Sequence, residues 1–449
     1  MNTSQYNFYK DLFNERRYGV IYNSYSGAII RINDYVLWNN IIDNKTELMD
    51  DSEISVLIEN GIIVSSHDEE YRTIKERYEV SVESSNTLYL TIMPTESCNF
   101  ACPYCFEYEK KHSFMDKATY NRIYKLVEDF TSKNPTLDKV YLNWFGGEPT
   151  LCIDEVVDFS RRFKKMCESK NLKMQGAITT NGYLLDKETF IRLIDSGIQR
   201  IQITIDGEKD THNRTRYLQN GQQGTFDVIW NNLMQISGLP QSVKFDLDIR
   251  CNFLKNTIES TYHLIDRVMS FFKEDDRIHI YCRPVYLYKT KGNSIEKVEN
   301  DILSIEEGIE QQNCFYEYIN KYKSEASRRL FDLLPQPTNC WCNADKKLHL
   351  IIGSKGELYV CDTLTGDEYV LDNINNLKDI DKVRTCRYNI FDDVRTSDCL
   401  KCKLLPVCMG GCMRNRLDGK PSCYWTEEII EKSLNKYIDY MEVQDEKRA

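Results

Sequence analysis

"CNFACPYC", residues 98–105, sets Cys98, Cys102 and Cys105 at gaps of three and then two residues, with no His or Asp between them to complete a ligand set. Thiolate is the usual ligand of iron–sulfur clusters, and a loop with this spacing can wrap one. A cubane has four irons. Three thiolates therefore leave one iron open to an exogenous ligand, much as a catalytic metal keeps an open position. Structural zinc would want a fourth protein ligand, and His112, seven residues beyond Cys105, lies in the charged stretch "YEKKHS" rather than in a second knuckle.

The triplet directly follows an apolar run. Strand-like segments recur at "LYLTIM" (88–93), "KVYLNWF" (139–145), "KMQGAITT" (173–180), "IQRIQITID" (198–206), "KFDLDIRC" (244–251) and "RIHIYCRP" (277–284). Between most of them lie helical patterns such as "ATYNRIYKLVEDF" (118–130), which puts Ile123, Leu126, Val127 and Phe130 on one face. Six βα units predict an α/β fold with a parallel sheet, curved into a partial barrel. Chemistry in such folds gathers at the carboxyl ends of the strands. "GGEP" (146–149) follows the second strand, "TTNG" (179–182) the third and "IDG" (205–207) the fourth, so all share one rim with Cys98.

The rest of the chain bounds the function. At 449 residues the length suggests about three domains, and 41% hydrophobic with 28% charged residues is ordinary for a globular chain. No apolar run approaches the roughly 20 residues of a membrane span, and the first residues carry no secretory pattern, so a cytoplasmic protein is expected. A formal net charge of −11 argues against general affinity for nucleic acid or anionic membranes. Seventeen Cys in a reducing compartment read as metal ligands or catalysts more than as disulfides. Cys152, Cys167, Cys251, Cys282, Cys314 and Cys386 are scattered singly and read as small hydrophobes.

Residues 1–75 read as two strands around a turn at Ser24–Gly27, a short helix at "DYVLWNNIID" (34–43), then a helix running into a strand at "SEISVLIENGIIV" (52–64), a pattern that resembles a winged helix-turn-helix. The polar stretch 65–86 suits a connector, with the linker at 76–87. The barrel is expected over 88–298, an amphipathic helical connector over 299–335 and a Cys-rich domain over 336–449.

"CNFACPYC" is similar to the CxxxCxxC motif of radical S-adenosylmethionine (SAM) enzymes, with Tyr104 as the aromatic before the last Cys, and "GGEP" resembles that family's SAM-binding turn. The resemblance covers residues 88–285. It implies that Cys98, Cys102 and Cys105 hold a 4Fe–4S cluster whose open iron binds SAM, with Gly146, Gly147 and Glu148 receiving its amino group through their backbone. Reductive cleavage would give a 5′-deoxyadenosyl radical that abstracts a substrate hydrogen. Asn181 and the stretch "DGEKDTHNRTR" (206–216), with Asp206, His212 and Arg216, resemble further rim elements. Arg216 or Arg250 is expected near the SAM carboxylate, which a guanidinium can grip bidentately.

In the last quarter, Cys342, Gly356, Cys361, Cys399, Cys402, Cys408, Cys412 and Cys423 follow the spacing of the SPASM domain, which holds auxiliary iron–sulfur clusters in many radical SAM enzymes. "GSKGELYVCD" (353–362) reads as a tight hairpin and "CLKCKLLPVC" (399–408) as a knuckle; zinc knuckles are the other reading. The resemblance implies an inner cluster on Cys342, Cys361 and Cys412 and an outer one on Cys399, Cys402, Cys408 and Cys423, three 4Fe–4S clusters in all. Either Cys340 closes the inner cluster or a substrate thiolate does. Asp362, beside Cys361, stands where sulfatase-maturing relatives carry a proposed proton acceptor, although an ordinary turn-stabilising role is open to it.

Together these features resemble a radical SAM/SPASM maturase of ribosomally made peptides, of the thioether-forming sactipeptide or ranthipeptide type. The N-terminal element would grip a leader sequence by strand addition, and flavodoxin or ferredoxin would supply electrons. Carbon–carbon cross-linking, epimerisation and formylglycine formation in sulfatases are the chemical alternatives, and a multi-cluster electron carrier is the alternative of another class.

Overall fold

The computed structural model describes every residue except 85, 106–111, 223, 287–296, 323–333, 378–379, 381–389, 392–396, 418–422 and 449. The chain forms two units. One comprises Met1–Glu83, Arg329–Asp345 and Tyr388–Ala449, and the other Ser84–Arg328 with Lys346–Arg387.

In the first unit, β1 (Asn2–Thr3) is followed by an antiparallel sheet of β2 (Asn7–Asp11), β3 (Gly19–Asn23) and β4 (Ile29–Ile32), with β3 central, and β1 pairs with β5 (Ile63–Val64). Asp34 starts the helix Tyr35–Ile42 by accepting the Val36 and Leu37 amides. Asp50 starts Asp51–Glu59 through a reciprocal capping box with Glu53. These helices bury Trp38, Ile41 and Leu57 with Ile21 and Ile63.

The stretch read as a connector is instead a helix, His67–Glu83. Its buried residues are Glu70, Ile74 and Tyr78, and Ile74 and Tyr78 share a core with Tyr6, Leu405 and Met409. Periodicity of three and four was present, but so many charged residues lie between the apolar positions that mean hydropathy concealed it.

The second unit is built on a sheet whose strands β6 (Thr87–Ile92), β7 (Lys139–Trp144), β8 (Lys173–Thr180), β9 (Ile198–Thr204), β10 (Asp246–Phe253) and β11 (Ile278–Pro284) are parallel and neighbours in chain order. An order without reversal means that right-handed crossovers stack their helices on one face, the connectivity of a barrel left open. Each strand alternates accordingly. In β10, Leu247, Ile249, Cys251 and Phe253 are buried while Asp248, Arg250 and Asn252 stand half-buried on the other face. The helix Lys117–Lys133, capped by Asp116, buries Ile123, Leu126, Val127 and Phe130 as its periodicity predicts.

The region expected as one domain over 336–449 is divided between the two units. The cause is β12 (His349–Ile352), which pairs in parallel with β6, from His349 against Tyr89 to Ile352 against Ile92. It continues through antiparallel β13 (Glu357–Tyr359) and β14 (Val370–Asn373), so the outer ladder of β6 is paired rather than bare. The predicted hairpin is present, with the Gly353 amide donating to Glu357 O at 2.8 Å. The helix Ile305–Asn320 packs on the same unit, Phe315 meeting Phe253 and Tyr262 at ring distances of 5.0 and 4.7 Å. Cys152, Cys167, Cys251 and Cys282 are buried in this core and Cys314 is half-buried; Cys386 lies outside the described residues. No helix among the described residues is long and apolar enough to cross a membrane.

Candidate functional site

The loop after β6 is held from both sides. Below it, the Gly147 amide donates to Thr95 O at 3.0 Å and the Glu148 amide to Ser97 O at 2.9 Å. Glycine is required for this approach. A Cβ on Gly146 would lie 2.6 Å from Thr95 O, and one on Gly147 would lie 2.6 Å from Glu96 O and closer still to Ser97 O. Gly146 also has φ +110°, a conformation open to glycine. Above it, the Ala101 amide donates to Tyr217 O and the Gln219 amide to Asn99 O, each at 2.9 Å, which seats Phe100 in the core.

Glu148 has a side-chain role that sequence reasoning missed. Its buried carboxylate accepts from the Thr150 amide and hydroxyl at 3.0 and 2.6 Å, the Thr180 hydroxyl at 2.6 Å and the Asn181 amide at 2.7 Å. It therefore ties the turn after β7 to the end of β8. Asn181 continues the chain of contacts, its Nδ2 donating to Asn99 Oδ1 at 2.7 Å and lying 3.9 Å from Cys98 Sγ. The Phe100 amide donates to the same sulfur at 3.4 Å.

A second network surrounds Tyr104. Its hydroxyl donates to Asp206 Oδ2 and accepts from Arg216 Nη1 at 3.0 Å, with Asn252 Nδ2 at 3.4 Å. Asp206 Oδ1 accepts the Asn252 amide at 3.1 Å. Burial raises the Asp206 carboxyl above its ordinary value against the pull of the Arg216 charge. Burial likewise lifts the Tyr104 hydroxyl. Arg216 thus serves the cysteine loop through Tyr104, and it lines the cleft. Arg250 lines the cleft as well, steadied by Nε donating to Asn252 Oδ1 at 2.8 Å. His212 is not at the cleft. Its buried Nδ1 accepts the Asp206 amide at 3.2 Å, and burial with the Arg216 charge keeps the imidazole well below its ordinary value.

One cleft collects Cys98, Cys102, Cys105, Gly146, Gly147 and Glu148 with Asn181, Tyr104, Arg216 and Arg250. His112, the alternative zinc ligand, is exposed and does not line it. Among the described residues no three His, Cys, Asp or Glu side chains converge closely enough to grip one metal ion. The three cysteines line one cleft. The donor set fits: three thiols, amide donors toward Cys98, and glycines that leave room beside them.

The C-terminal cysteines are placed in each unit separately. In the second unit Cys361 Sγ donates to Asp362 Oδ1 at 3.6 Å and lies 3.2 Å from Thr363 Oγ1. Burial raises the Asp362 carboxyl, and the Arg250 charge opposes it, so Asp362 lies within electrostatic reach of the cleft. In the first unit the knuckle is a turn, Cys399–Lys401, followed by the helix Leu405–Cys408, and the chain reverses through Met409, Gly410 and Gly411, all at positive φ. Burial pushes the Cys408 thiol up to about 12, and the charges of Cys402, Cys399 and Cys423 add to this. Four thiols that repel one another's ionisation fit a cationic iron core.

Cys340, the other candidate for the inner cluster, lies with its sulfur 3.8 Å from Ser81 Oγ, packed on the Tyr6, Ile74 and Tyr78 core. The Asp345 amide donates to Cys342 O and the Arg416 amide to Cys412 O, both at 3.1 Å. Arg416 Nη2 meets Asp345 Oδ1 at 3.2 Å, a buried ion pair between the Cys342 and Cys412 arms that sequence reasoning did not find. No local signal marked the pair, since Asp345 precedes Lys346 and Lys347 and Arg416 lies among other charged residues.

An open parallel sheet with three thiols after its first strand, a glycine turn hydrogen-bonded to that loop and a polar concave face defines an α/β iron–sulfur enzyme. Residues 92–265 match the Radical SAM superfamily, and the chain carries a radical SAM domain that takes SAM and 4Fe–4S clusters as cofactors. The chain is 27% identical over 377 residues to the cysteine-type anaerobic sulfatase-maturating enzyme of Clostridium perfringens, covering 79% of this chain and 96% of the relative. The structure of native anSMEcpe with bound AdoMet superposes with TM-score 0.58 at 23% identity, covering 80% of this chain and 97% of that one. Streptococcus suis SuiB bound to S-adenosylmethionine superposes with TM-score 0.53 at 16% identity, covering 93% and 97%.

Proposed function

We propose that this protein modifies a ribosomally made precursor peptide by radical chemistry, joining a Cys thiol to a carbon of the same peptide as a thioether. Bound SAM and its cluster supply a 5′-deoxyadenosyl radical. Cys98, Cys102 and Cys105 would hold the cluster. The carbonyls of the Gly146–Glu148 turn would accept from the SAM amino group, since the Gly147 and Glu148 amides are already engaged. Arg250 would face the SAM carboxylate, with Arg216 fixed behind Tyr104.

The observation that carries the reading is Asp362, hydrogen-bonded to Cys361 and in electrostatic reach of Arg250 at the cleft. Cys361, Asp362 and the cleft residues belong to one unit, which supports a proton acceptor beside an auxiliary-cluster thiol near the SAM site. Thioether formation removes a hydrogen atom from the acceptor carbon, a proton from the thiol and one electron. The hydrogen atom would pass to the deoxyadenosyl radical, the proton to Asp362 and the electron to an external carrier of the ferredoxin or flavodoxin class; an auxiliary cluster held in part by Cys361 would supply an electron acceptor. The packing of Cys340 against Ser81 supports a substrate thiolate, rather than Cys340, as the fourth inner ligand.

Residues 1–83 would bind the leader, whose strand would add to β2 or β4, the outer strands of the small sheet. Tyr35, Val36, Val56 and Ile58 expose apolar surface on the adjoining helices. SuiB has been solved bound to its precursor peptide SuiA, and its structure covers 93% of this chain where that of anSMEcpe covers 80%. The sequence similarity to that maturase favours a second reading, oxidation of a sulfatase Cys to formylglycine.

The test is to incubate anaerobically reconstituted, reduced protein with a Cys-containing precursor peptide. Loss of two hydrogens per bridge supports the thioether. Loss of the cysteine sulfur establishes the formylglycine reading instead, and deuterium uptake at unchanged mass would mean epimerisation.

A further inference from the structure

Arg416 and Asp345 are each 1% exposed. Their one mutual contact, Nη2 to Oδ1 at 3.2 Å, leaves the rest of the guanidinium without an acceptor. Among the described residues Nε and Nη1 of Arg416 and Oδ2 of Asp345 are buried without a hydrogen-bond partner. Nearly all buried polar groups in folded proteins are paired, and two orphaned guanidinium nitrogens carry a desolvation cost that one hydrogen bond does not offset. The backbone says what lies beside them. Arg416 is one turn beyond Cys412 and donates its amide to Cys412 O, while Asp345 donates its amide to Cys342 O.

We infer that Arg416 is a positioning residue for the auxiliary clusters: its Nε and Nη1 donate to cluster sulfur, and Asp345 fixes the guanidinium in that orientation. The inference deepens the proposed function, since it rests on Cys342 and Cys412 as cluster ligands. A cluster with its thiolates carries net negative charge, so its sulfurs are acceptors that the protein alone does not provide. Hydrogen bonds to the sulfurs and nearby positive charge favour the more negative, reduced state and raise the potential. That suits a cluster that takes up the electron released in C–S bond formation.

The experiment is an EPR-monitored redox titration of the full-length, anaerobically reconstituted protein beside Arg416→Lys, which keeps the charge and loses the planar fork. Reduction of an auxiliary cluster becomes about tenfold less favourable, a midpoint about 59 mV more negative for one electron, while the cluster on Cys98, Cys102 and Cys105 keeps its potential. Full iron content with unmoved midpoints overturns the role of Arg416. Iron near one cluster per chain in the unsubstituted protein overturns the auxiliary-ligand assignment itself. Should Arg416→Lys fail to hold iron, unsubstituted protein carrying ¹⁵N-labelled arginine answers the same question. A guanidino-nitrogen hyperfine coupling to a reduced auxiliary cluster is expected, and its absence overturns the proposal.

Discussion

The Glu148 carboxylate accepts the Asn181 amide at 2.7 Å, so the turn after the second barrel strand and the end of the third move as one piece. Replacing Glu148 by Gln sets an NH₂ group against donors already aimed at it. Loss of one such bond to a charged group costs about 1–3 kcal/mol. Urea unfolding measures that loss, and 5′-deoxyadenosine release should fall as the SAM turn loosens. Unchanged stability would mean that the carboxylate is not a structural acceptor.

Gly147→Ala places a Cβ 2.6 Å from Glu96 O, against backbone that cannot swing aside. The cysteine loop must shift, so iron content should fall by about one cluster of three, with the auxiliary clusters kept. Gly238→Ala is the control, because the nearest atom to its Cβ is Gln235 O at 3.5 Å. Equal iron in both variants contradicts the close-approach account.

Alanine at Cys98, Cys102 or Cys105 should abolish 5′-deoxyadenosine formation while auxiliary iron remains. Cys152→Ala should keep the activity. Cys152 is buried, and burial pushes its thiol up to about 12, so it behaves as a small hydrophobe rather than a ligand. Product formation by a triplet variant would place the SAM-binding cluster elsewhere.

His212 makes a prediction about pH. Its folded value lies well below the ordinary 6.5, so in acid the unfolded chain binds a proton that the folded chain refuses. Stability should therefore fall as pH drops below about 6.5, by up to about 1.4 kcal/mol per unit from this group alone. Above that range it contributes no slope. His212→Gln should flatten the slope in that window; an unaltered slope would assign the dependence to other groups.

Local chemistry made the barrel and its rim legible in the sequence. Six apolar strand-like runs marked the strands, and "CNFACPYC", "GGEP" and "TTNG" followed the first three of them onto one rim, where Cys98, Cys102 and Cys105 line the same cleft as Gly146 and Asn181. The hairpin ending at Cys361 was visible for the same reason, since its turn chemistry lies within ten residues.

What required tertiary structure was every relation between distant segments. β12 paired with β6 across more than 250 residues because an outer ladder needs a partner, and no local signal names which strand supplies it. The helix His67–Glu83 emerged from a charged stretch because Ile74 and Tyr78 found a core donated by residues near 405. Glu148 became a buried acceptor, Arg216 a prop for Tyr104, and Asp345 a partner for Arg416, each through folding that removed water and left hydrogen bonds to be satisfied. The sequence determined which atoms could bind iron; packing decided which charges would stand beside them.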